Sequence, residues 1–570
     1  MILSSVERIR EYMEKGWWGT VTIEDYFLQL VEKWPGKEAI VDPINRGSLC
    51  GGPMLRLTYK ELDNRVNALA EILIAHGIGK DDIVAIQLPN VVEIVVTYLA
   101  VLRIGAISSP FPVQYREFEC LQLLKTLGAK AVITMEKINN REYASMYTKI
   151  KEQAPSVQHL FVFGDHVPEG AISIHTEKTS STFERVKAYR KTIEMTANDI
   201  FTICWTSGTE GKPKGVPRSH NEWFISAYAT VDAAQLKEDD HILLTFPMVN
   251  MAGIGGMLVP WLLSGGKLVL HHPFDLTTFL QQVEQEKITY TLIPPALLNM
   301  MLKNQAFLSD KDIRSLRVVG TGSAPLSAWM IAGWKEKYGV EIINYFGSNE
   351  GAAFLSSPND IPNPEMRSKY FPRFGVKGIS WNNRISERIE SKIVDLETGE
   401  EITEPYHPGE LCLRGASVFA GYWKAEETNQ ASFDQDGFFC TGDLFEIAGD
   451  QDQFQYYRVV GRVKDVINRG GLKISPEELE GLIQGHPKVE EVAVVSYPDP
   501  IMGENICACI VSRESIEIKL EEIVEFLKEK KIASYKLPER LVLLKQLPRN
   551  PVGKIMKNHL RETVKIELVN

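Results

Sequence analysis

The stretch from Thr206 to Gly215 contains the densest set of groups in the chain that could bind an anion. Its glycines let backbone N–H groups turn inward, because no Cβ stands in the way. Hydroxyl and ammonium groups add further donors, and the combination suits a polyphosphate. The residues that supply these donors are Thr206, Ser207, Gly208, Thr209, Gly211, Lys212 and Lys214.

The run from Asp199 to Trp205 that precedes this stretch is short and apolar, which predicts a buried strand. The stretch is therefore expected to be a loop that leaves the edge of a sheet. A Walker-type loop requires Ser or Thr directly after Gly-Lys, where this chain has Pro213, so that pattern is excluded. A flexible surface loop rich in Gly and Lys stays open as the alternative.

Two further glycine-containing stretches each follow a predicted strand. Residues 320–325 follow the strand that ends at Val319, and residues 345–351 follow the one that ends at Asn344. Open α/β sheets bind ligands at the carboxyl ends of their strands, so both stretches are candidate ligand contacts. Each could be an ordinary turn when taken singly, but their occurrence together with the lysine-bearing loop favours one common site.

The size and charge of the chain narrow the classes of function. At 570 residues it is too long for a single hydrophobic core, so two or more domains are expected. The formal net charge of −11 provides no basic surface for nucleic acid, and no nucleic-acid partner is expected. Hydrophobic residues make up 44% of the chain, which argues against extended disorder.

The seven cysteines are scattered and odd in number, which is typical of thiols in a reducing compartment. Cys507 and Cys509 lie two residues apart in a predicted strand and should pack on one face, and no zinc site is expected. Residues 1–15 are charged and lack the apolar core of a signal peptide, which predicts a cytoplasmic protein. Glycines and prolines interrupt the uncharged residues 246–266, so no transmembrane segment is expected, while peripheral membrane contact stays open.

Helical and strand patterns alternate along most of the chain, which predicts parallel α/β layers. Helices are predicted at residues 60–76, 91–103, 118–127, 220–234, 257–263, 274–286 and 329–338. Strands are predicted at residues 39–41, 83–88, 131–134, 241–246, 267–270, 290–293, 316–319 and 341–344. Residues 43–53 are predicted to form a loop. The helix that starts at His220 is expected to follow the phosphate loop, and His220 could face a nucleotide or could cap and pack.

The stretch Thr206–Gly215 resembles the phosphate-binding signature of the adenylate-forming superfamily, which includes acyl- and aryl-coenzyme A ligases, peptide-synthetase adenylation domains and firefly luciferase. Further signatures of that superfamily follow in the expected order. Residues 441–443 resemble its ribose-binding turn, residues 461–465 its hinge, and residues 548–554 its C-terminal loop with a catalytic lysine. The resemblance extends over roughly residues 20–560.

This resemblance implies an α/β fold with a large N-terminal AMP-binding domain of several subdomains at residues 1–463. A small mobile α+β lid domain is implied at residues 464–570. The resemblance also implies ATP and Mg²⁺ as cofactors and coenzyme A as a co-substrate.

The resemblance also assigns roles to single residues. Lys554 would bridge carboxylate and phosphate oxygens, Glu350 would hold Mg²⁺, and Phe346, in place of the usual tyrosine, would stack on adenine. Asp443 would accept hydrogen bonds from both ribose hydroxyls, with Arg462 as a second ribose or phosphate contact. Thr206 and Lys214 join the catalytic set, and the other implied nucleotide contacts are Gly322, Ser323, Ala324, Asn344, Tyr345, Gly347, Ser348, Asn349 and Lys473.

The second half-reaction implied by the resemblance requires the lid to swing about Lys464. Gly470 and Gly471 would then let a thiol arm pass close to the backbone, and Lys473 would lie near phosphate. The same segment is predicted to contain a helix that begins at Ser475 with a capping sequence, and this prediction is compatible with the hinge role.

The acid pocket is assigned to the stretch 246–253, with Asn250 and Met251, together with Gly320 and Ser323. Asn250 replaces the histidine or aromatic residue of many relatives, and Asn349 replaces their usual threonine. The small residues Gly320, Ser323, Ala324 and Ala296 could leave room for a ring or a bulky acyl group. Met251 and Met257 could equally fill that space.

The predicted function is an ATP-dependent ligase that joins a carboxylic acid to coenzyme A through an acyl-AMP intermediate. The regional similarity favours an aryl, alicyclic or medium-chain acid. One alternative is an acid-AMP ligase that loads the pantetheine thiol of a carrier protein, and the absence of a carrier domain before Asn570 favours free coenzyme A. A second alternative, from another class, is a catalytically impaired nucleotide-binding regulator.

Overall fold

The fold is described from a computed structural model. The structure describes residues 1–177, 183–206, 213–322, 326–449, 454–469, 472–513, 516–530, 532–550 and 553–569, without the side chains of Lys473 and residues 566–569. The chain forms two compact units. The larger unit contains residues 1–390 and 414–437, and the smaller contains residues 391–413 and 438–570.

The larger unit contains sixteen helices among its described residues. They are α1 (Val6–Glu14), α2 (Ile23–Lys33), α3 (Arg46–Cys50), α4 (Tyr59–Ala75), α5 (Val92–Arg103), α6 (Glu117–Leu127), α7 (Tyr143–Lys151), α8 (Glu184–Arg190), α9 (His220–Ala234), α10 (Met251–Gly253), α11 (Val259–Ser264), α12 (Leu276–Gln285), α13 (Pro295–Lys303), α14 (Ala328–Tyr338), α15 (Pro364–Lys369) and α16 (Glu426–Ser432). A π-helical turn, Ile254–Leu258, joins α10 to α11.

The described strands of the same unit are β1 (Glu38–Val41), β2 (Arg56–Thr58), β3 (Ile83–Gln87), β4 (Ile107–Pro110), β5 (Ala131–Met135), β6 (Lys137–Ile138), β7 (Arg141–Glu142), β8 (His159–Phe163), β9 (Ile172–Ile174), β10 (Ile200–Thr206), β11 (Lys214–Ser219), β12 (His241–Leu244), β13 (Lys267–Leu270), β14 (Tyr290–Leu292), β15 (Val318–Gly322), β16 (Glu341–Gly347), β17 (Ala353–Ser356) and β18 (Phe371–Pro372).

Two mostly parallel sheets organise the larger unit. One has the strand order β17-β16-β15-β14-β12-β13-β1-β2, and the other has the order β11-β10-β4-β3-β5-β8-β9. Only β2, β11 and β17, at sheet edges, pair antiparallel within these two described sheets. The predicted α/β class is confirmed.

The smaller unit is α+β. Its elements are β19 (Ile389–Val394), β20 (Gly409–Gly415), β21 (Phe439–Ala448), β22 (Tyr456–Arg462), β23 (Ile467–Arg469), β24 (Leu472–Ile474), α17 (Pro476–Ile483), β25 (Val489–Asp499), β26 (Gly503–Ser512), α18 (Leu520–Glu529), β27 (Arg540–Leu543) and α19 (Lys557–Val569). β26 pairs with β25, β23 and β27, and apolar clusters lie on its two faces. Cys507 and Cys509 share one of those clusters, as predicted.

Several sequence predictions need correction. β11 occupies the position where α9 was expected to follow the phosphate loop, so Lys214 and Gly215 belong to a strand rather than to the loop. β15 extends to Gly322 and β16 to Gly347, so both predicted turns begin later than expected. The predicted loop at residues 43–53 contains α3.

His220 is packed inside the larger unit. It is the first residue of α9, whose N-cap is Ser219, so His220 does not cap the helix itself. Its Nδ1 accepts a hydrogen bond from the Ile23 N–H at 3.1 Å, and its ring stacks on Phe201. Burial lowers the pKa of His220 to about 4, so the side chain is neutral. Of the two roles left open by the sequence, the structure supports packing.

Candidate active site

The two ends of the phosphate loop lie opposite each other. Thr206 ends β10 and Lys214 begins β11, and the two residues are cross-strand partners. The intervening predicted contacts Ser207, Gly208, Thr209, Gly211 and Lys212 lie outside the described residues. The hairpin thus places a hydroxyl and an ammonium group, two donors for an anion, at the same point of the sheet.

Glu350, the predicted Mg²⁺ ligand, is held by a residue that sequence reasoning missed. The Tyr422 hydroxyl donates a hydrogen bond of 3.0 Å to Glu350 Oε1. Lys214 Nζ lies 4.8 Å from the centre of the Tyr422 ring, within the range of a cation–π contact. Tyr422 therefore connects the lysine of the phosphate loop with the candidate metal carboxylate. Burial and the charge of Glu350 raise the pKa of Tyr422, which keeps its hydroxyl protonated.

A hard cation prefers carboxylate oxygen, and Mg²⁺ usually combines one or two carboxylates with phosphate oxygens. Glu350 is only partly buried, so its carboxylate is accessible as well as oriented. Among the residues that the structure describes, no group of three or more His, Cys, Asp or Glu side chains forms a metal cage. This arrangement fits a Mg²⁺ ion that is shared with phosphates.

Asn349, which replaces the usual threonine, cross-links two parts of the candidate site. Its Oδ1 accepts a hydrogen bond of 2.8 Å from the Met251 N–H, and its Nδ2 donates to the Trp205 carbonyl at 3.4 Å. Met251 belongs to the predicted acid pocket, and Trp205 precedes the phosphate loop. The asparagine amide thus connects the acid pocket with the strand that leads into that loop.

Arg218 is a second residue that sequence reasoning missed. It is fully buried, and its guanidinium donates to the Asn349 carbonyl at 2.6 Å and to the Ser226 hydroxyl at 2.8 Å. Burial lowers the pKa of Arg218 to about 10, so it remains charged at neutral pH. A charged group rarely tolerates such burial without partners, and the nearby Glu222 carboxylate balances its charge.

The strand end at residues 344–348 contains several of the predicted nucleotide contacts. Phe346 packs edge-on against Phe354 and Phe371, which fixes the ring as a platform. The Asn344 side chain is buried, and its amide donates to the Arg367 carbonyl at 3.3 Å. The Ser348 N–H donates to the Ala352 carbonyl at 3.1 Å, and Gly347 is exposed beside it. Asn344 thus also holds the strand in place.

The predicted acid-pocket residue Gly320 and the nearby Gly256 both lie against the Leu292 side chain. A Cβ on Gly320 would lie 2.2 Å from Leu292 Cδ2, and one on Gly256 would lie 2.9 Å from Leu292 Cδ1. The Met251 carbonyl lies near the same Gly256 position. Asn250 caps α10, because its Oδ1 accepts hydrogen bonds from the Ala252 and Gly253 N–H groups. The Asn250 amide is therefore fixed within the predicted pocket stretch.

Gly320 does not leave room for a bulky acyl group, contrary to one expectation. The space next to its Cα is occupied by the Tyr345 ring, whose edge would lie 2.6 Å from a Cβ at this position. The Tyr345 hydroxyl lies 2.9 Å from the Tyr290 hydroxyl, deep inside the unit. The Tyr345 ring thus closes the space beside Gly320 and is called the wall below. Ser323 and Ala324 lie outside the described residues, and Ala296 is exposed on α13.

Met251 fills part of the remaining space. Its sulfur lies where a side chain on Gly255 would be, 2.5 Å from the Cβ position, and it also approaches Gly347. Met257 is fully buried in the π-helical turn. Met251 and Met257 thus occupy space in this region, and the choice between an open and a filled pocket stays a prediction.

In the smaller unit, the two predicted ribose contacts, Asp443 and Arg462, lie side by side. They are cross-strand partners on β21 and β22, and Arg462 Nε lies 2.9 Å from Asp443 Oδ1. Residues 441–443, predicted as a turn, lie instead within β21, where the register of the β20–β21 ladder shifts. This irregular segment, which keeps the name ribose turn below, is tied to β20, since Thr441 Oγ1 donates to the Leu411 carbonyl and the Gly442 N–H donates to Glu410 Oε1. The turn needs Gly442, whose φ is +73°.

Lys554 belongs to the same unit, and the charges of Arg462 and Asp443 affect its pKa. Its backbone N–H donates to Asn550 Oδ1 at 2.9 Å, which shapes the C-terminal loop. The side chain is open to solvent but has crowded surroundings, and desolvation there, with the positive charge of Arg462, lowers the pKa of Lys554 to about 8. The lowered pKa is consistent with a lysine that belongs to the same unit as Asp443 and Arg462.

Lys464, the predicted hinge residue, is exposed in a 3₁₀ turn that follows Arg462 directly. The neighbouring Asp465 is buried and accepts a bond of 2.7 Å from Arg561 on α19. Ser475 caps α17, as predicted, by accepting from the Glu478 N–H. Gly470, Gly471 and the Lys473 side chain lie outside the described residues.

Comparison with known proteins identifies the family to which these motifs belong. The family described as "AMP-binding enzyme" matches residues 27–423, and the "AMP-binding enzyme C-terminal domain" matches residues 478–554. The chain belongs to the AMP-binding enzyme family. As a member of that family it is an AMP-forming acid–thiol ligase that uses ATP, which disfavours the hypothesis of an impaired regulator.

Relatives of this AMP-binding enzyme align over nearly its whole length. It is 30% identical to a medium-chain fatty-acid–CoA ligase of Escherichia coli (strain K12), over 98% of this chain and 93% of the relative. It is 29% identical to a 2,3-dihydroxybenzoate-AMP ligase of Bacillus subtilis (strain 168), over 99% and 97% respectively. The solved structure of ATP-bound MatB from Rhodopseudomonas palustris superposes with a TM-score of 0.76 at 26% identity, covering 96% of this chain and 99% of that one.

Among the described residues of this AMP-binding enzyme, none of the helices has the length and apolar character needed to cross a bilayer.

Proposed function

We propose that the protein is a carboxylate–coenzyme A ligase that forms an acyl-AMP and then an acyl-CoA thioester. The observation that carries this proposal is the ion pair of Asp443 with Arg462 on β21 and β22 of the smaller unit, which also contains Lys554. A carboxylate that can accept from ribose hydroxyls, paired with a guanidinium, is suited to a nucleotide whose α-phosphate is attacked. The similarity to a fatty-acid–CoA ligase supports coenzyme A as the acceptor.

The chemistry of adenylation explains the excess of cationic groups. A carboxylate that attacks the α-phosphate of ATP brings two anions together, so the barrier falls mainly through neutralisation of charge. We assign that role to Lys554 and Lys214, with Thr206 as a phosphate donor. Glu350 would hold Mg²⁺, which supplies charge to the phosphates. Lys464 would be the pivot about which residues 464–570 turn between adenylation and thioester formation.

The wall formed by Tyr345 supports a compact acid as the substrate. A phenol ring at Gly320 closes the space that a long linear chain would need, while Met251 narrows the region near Gly347. Among the acids favoured by the sequence, an aryl or alicyclic acid fits this geometry better than a linear medium-chain acid. The paired hydroxyls of Tyr345 and Tyr290 provide hydrogen-bonding groups at the wall.

A second candidate function is the loading of a carrier-protein thiol. The similarity to a 2,3-dihydroxybenzoate-AMP ligase favours it, because the alignment is as complete as that with the fatty-acid–CoA ligase. Both acceptors present the same pantetheine thiol, so the adenylation site described above serves either one.

Two measurements test the proposal. Acid-dependent ATP–pyrophosphate exchange with a panel of aryl, alicyclic and linear acids measures adenylation. The best acid is then incubated with ATP and Mg²⁺ and either coenzyme A or a pantetheine-bearing carrier protein, and the thioester is identified by mass. A thioester formed with the carrier alone would exclude the coenzyme A proposal, and the absence of exchange with every acid, despite ATP binding, would exclude adenylation.

Replacement of the wall residue is expected to change acid selection. Tyr345→Ala removes the ring beside Gly320, so acids longer by one or two methylenes should gain roughly tenfold or more in kcat/KM relative to compact acids. The measurement is kcat/KM across a series of acids of increasing length.

The matched control is Tyr290→Phe, which removes the hydroxyl partner of Tyr345 and opens no comparable space. It should leave the length preference unchanged. If Tyr345→Ala keeps the selectivity of the unmodified protein, the ring does not limit the acid.

The ionisation of Lys554 predicts a pH dependence. A lysine is charged below its pKa, and the pKa of Lys554 is lowered to about 8, so kcat/KM for ATP should fall as the pH rises through about 8. In Lys554→Arg the guanidinium stays charged, and this alkaline limb should disappear, whatever the residual rate. The control is Lys545→Arg, at an exposed position of the same unit, which should keep the fall in kcat/KM at alkaline pH. If this fall disappears in Lys545→Arg, it does not report the ionisation of Lys554.

A further inference from the structure

Two cysteines face each other next to the ribose turn. Cys412 on β20 and Cys440 on β21 are direct cross-strand partners, and their sulfur atoms lie 3.1 Å apart. Cys412 is fully buried, whereas Cys440 is partly accessible to solvent. The pair therefore combines close approach with a route for a small reagent to one of the two sulfurs.

The backbone geometry permits a covalent bond between them. Residues directly opposite on antiparallel strands have Cα atoms about 4.5 or 5.5 Å apart, and disulfides occur at about 4.4–6.8 Å. Cys507 and Cys509 give a contrast, because they follow each other on one face of β26 and are buried in an apolar cluster. The Cys412–Cys440 pair thus has a placement suited to bond formation that the β26 pair lacks.

The residues next to these two cysteines also make the hydrogen bonds that hold the ribose turn. Cys440 directly precedes Thr441, which donates to the Leu411 carbonyl at 2.8 Å, and the Gly442 N–H donates to Glu410 Oε1 at 2.7 Å. Thr441 Oγ1 also accepts from the Asp443 N–H at 3.1 Å. Every one of these bonds lies within three residues of one of the two sulfurs, so a change in their separation strains the support of Asp443.

We propose that Cys412 and Cys440 are a reversible oxidation site for peroxide, and that the disulfide weakens nucleotide binding at Asp443. In the first step, the Cys440 thiol loses its proton and the thiolate attacks a peroxide oxygen; the O–O bond breaks, a sulfenic acid forms, and the departing hydroxide takes up that proton to become water. In the second step, the Cys412 sulfur attacks the sulfenic sulfur and displaces a second water. Two thiols lose two electrons and two protons in total, and one hydrogen peroxide becomes two waters.

The disulfide requires the sulfurs to approach from 3.1 Å to about 2.05 Å. The two hydrogen bonds that tie the turn to β20 are already short, so the strands have little freedom to close around the bond. We expect the turn to lose at least one of its supporting hydrogen bonds, which corresponds to a rise of roughly threefold to tenfold in the KM for ATP. This effect on ATP rests on the proposed ribose role of Asp443, whereas bond formation does not.

The test begins with the bond itself. The full-length protein is treated with hydrogen peroxide, alkylated and digested, and the peptides that contain Cys412 and Cys440 are examined by mass. We expect a linked peptide that has lost two hydrogens and that dithiothreitol separates. If no such peptide forms while Cys440 is oxidised to the sulfinic acid, the proposed bond is excluded, whatever the role of Asp443 in nucleotide binding.

The consequence is tested on variants. Peroxide should raise the KM for ATP in the unmodified protein and in Cys507→Ser, and dithiothreitol should reverse the change. In Cys412→Ser, and separately in the partly exposed Cys440→Ser, peroxide should leave the KM unchanged. An equal rise in these two variants would overturn the assignment to this pair, and an unchanged KM in protein that contains the linked peptide would overturn its effect on the turn.

Discussion

Lys554→Ala is expected to lower acid-dependent pyrophosphate exchange by about 10²–10³-fold, the usual effect of removing one preorganised charge from a charged transition state. The same variant should convert supplied acyl-adenylate and coenzyme A to thioester at an unchanged rate. The reason is that the lysine neutralises charge only while the carboxylate attacks the α-phosphate. The two rates are measured separately, by isotope exchange and by mass of the thioester.

The matched control for this prediction is Lys557→Ala, because Lys557 is a neighbouring lysine engaged by Glu480 at 2.8 Å rather than by the ribose pair. This substitution should lower the free energy of unfolding of the smaller unit, and it should lower the rate of pyrophosphate exchange far less than Lys554→Ala does. Equal loss of both half-reactions in Lys554→Ala would contradict the assignment of Lys554 to adenylation alone and would argue against the proposed swing about Lys464.

Glu350→Gln should lower pyrophosphate exchange by about 10²-fold and should raise the Mg²⁺ concentration needed for half-maximal exchange. The substitution removes the charge of the candidate metal ligand and keeps its shape and its ability to accept from Tyr422. Exchange is measured over a titration of Mg²⁺ at saturating ATP and acid.

Tyr422→Phe separates the orientation of the Glu350 carboxylate by Tyr422 from the binding of Mg²⁺ by that carboxylate. It removes the hydrogen bond of 3.0 Å to Glu350 and leaves the carboxylate charge in place, so its effect should stay below about tenfold. The aromatic ring that faces Lys214 is kept as well. If Glu350→Gln and Tyr422→Phe have the same Mg²⁺ dependence as the unmodified protein, Glu350 does not bind the metal in the reaction.

The helices and interior strands could be predicted from sequence because their signals are local. The helix His220–Ala234 matches its predicted bounds, since a capping serine and a continuous apolar pattern define it. β11 was missed because its Lys, Gly and Pro residues dilute the strand pattern, and an edge strand tolerates such residues. Gly320 and Gly322 were assigned to a turn, although they belong to a strand against which Tyr345 packs closely.

The order of motifs predicted a set of candidate nucleotide contacts, but not the residues that support them. Tyr422 reaches Glu350 across 72 positions in the chain, and Arg218 reaches Asn349 across 131 positions. No local pattern marks either contact, because a tyrosine after a glycine and an arginine in a strand are common. The wall at Tyr345 was missed for the same reason, since a glycine shows where space exists but not which side chain fills it.

The buried Arg218 has a consequence for attempts to transplant acid specificity between relatives. It joins the turn at Asn349 to Ser226 on α9, and Asn349 in turn accepts from the N–H of Met251, a residue of the predicted acid pocket. A chimera that exchanges α9 alone would leave this guanidinium beside foreign side chains, with a charge that has lost its partners. A chimera should therefore take Arg218, Glu222, Ser226 and Asn349 from the same parent protein.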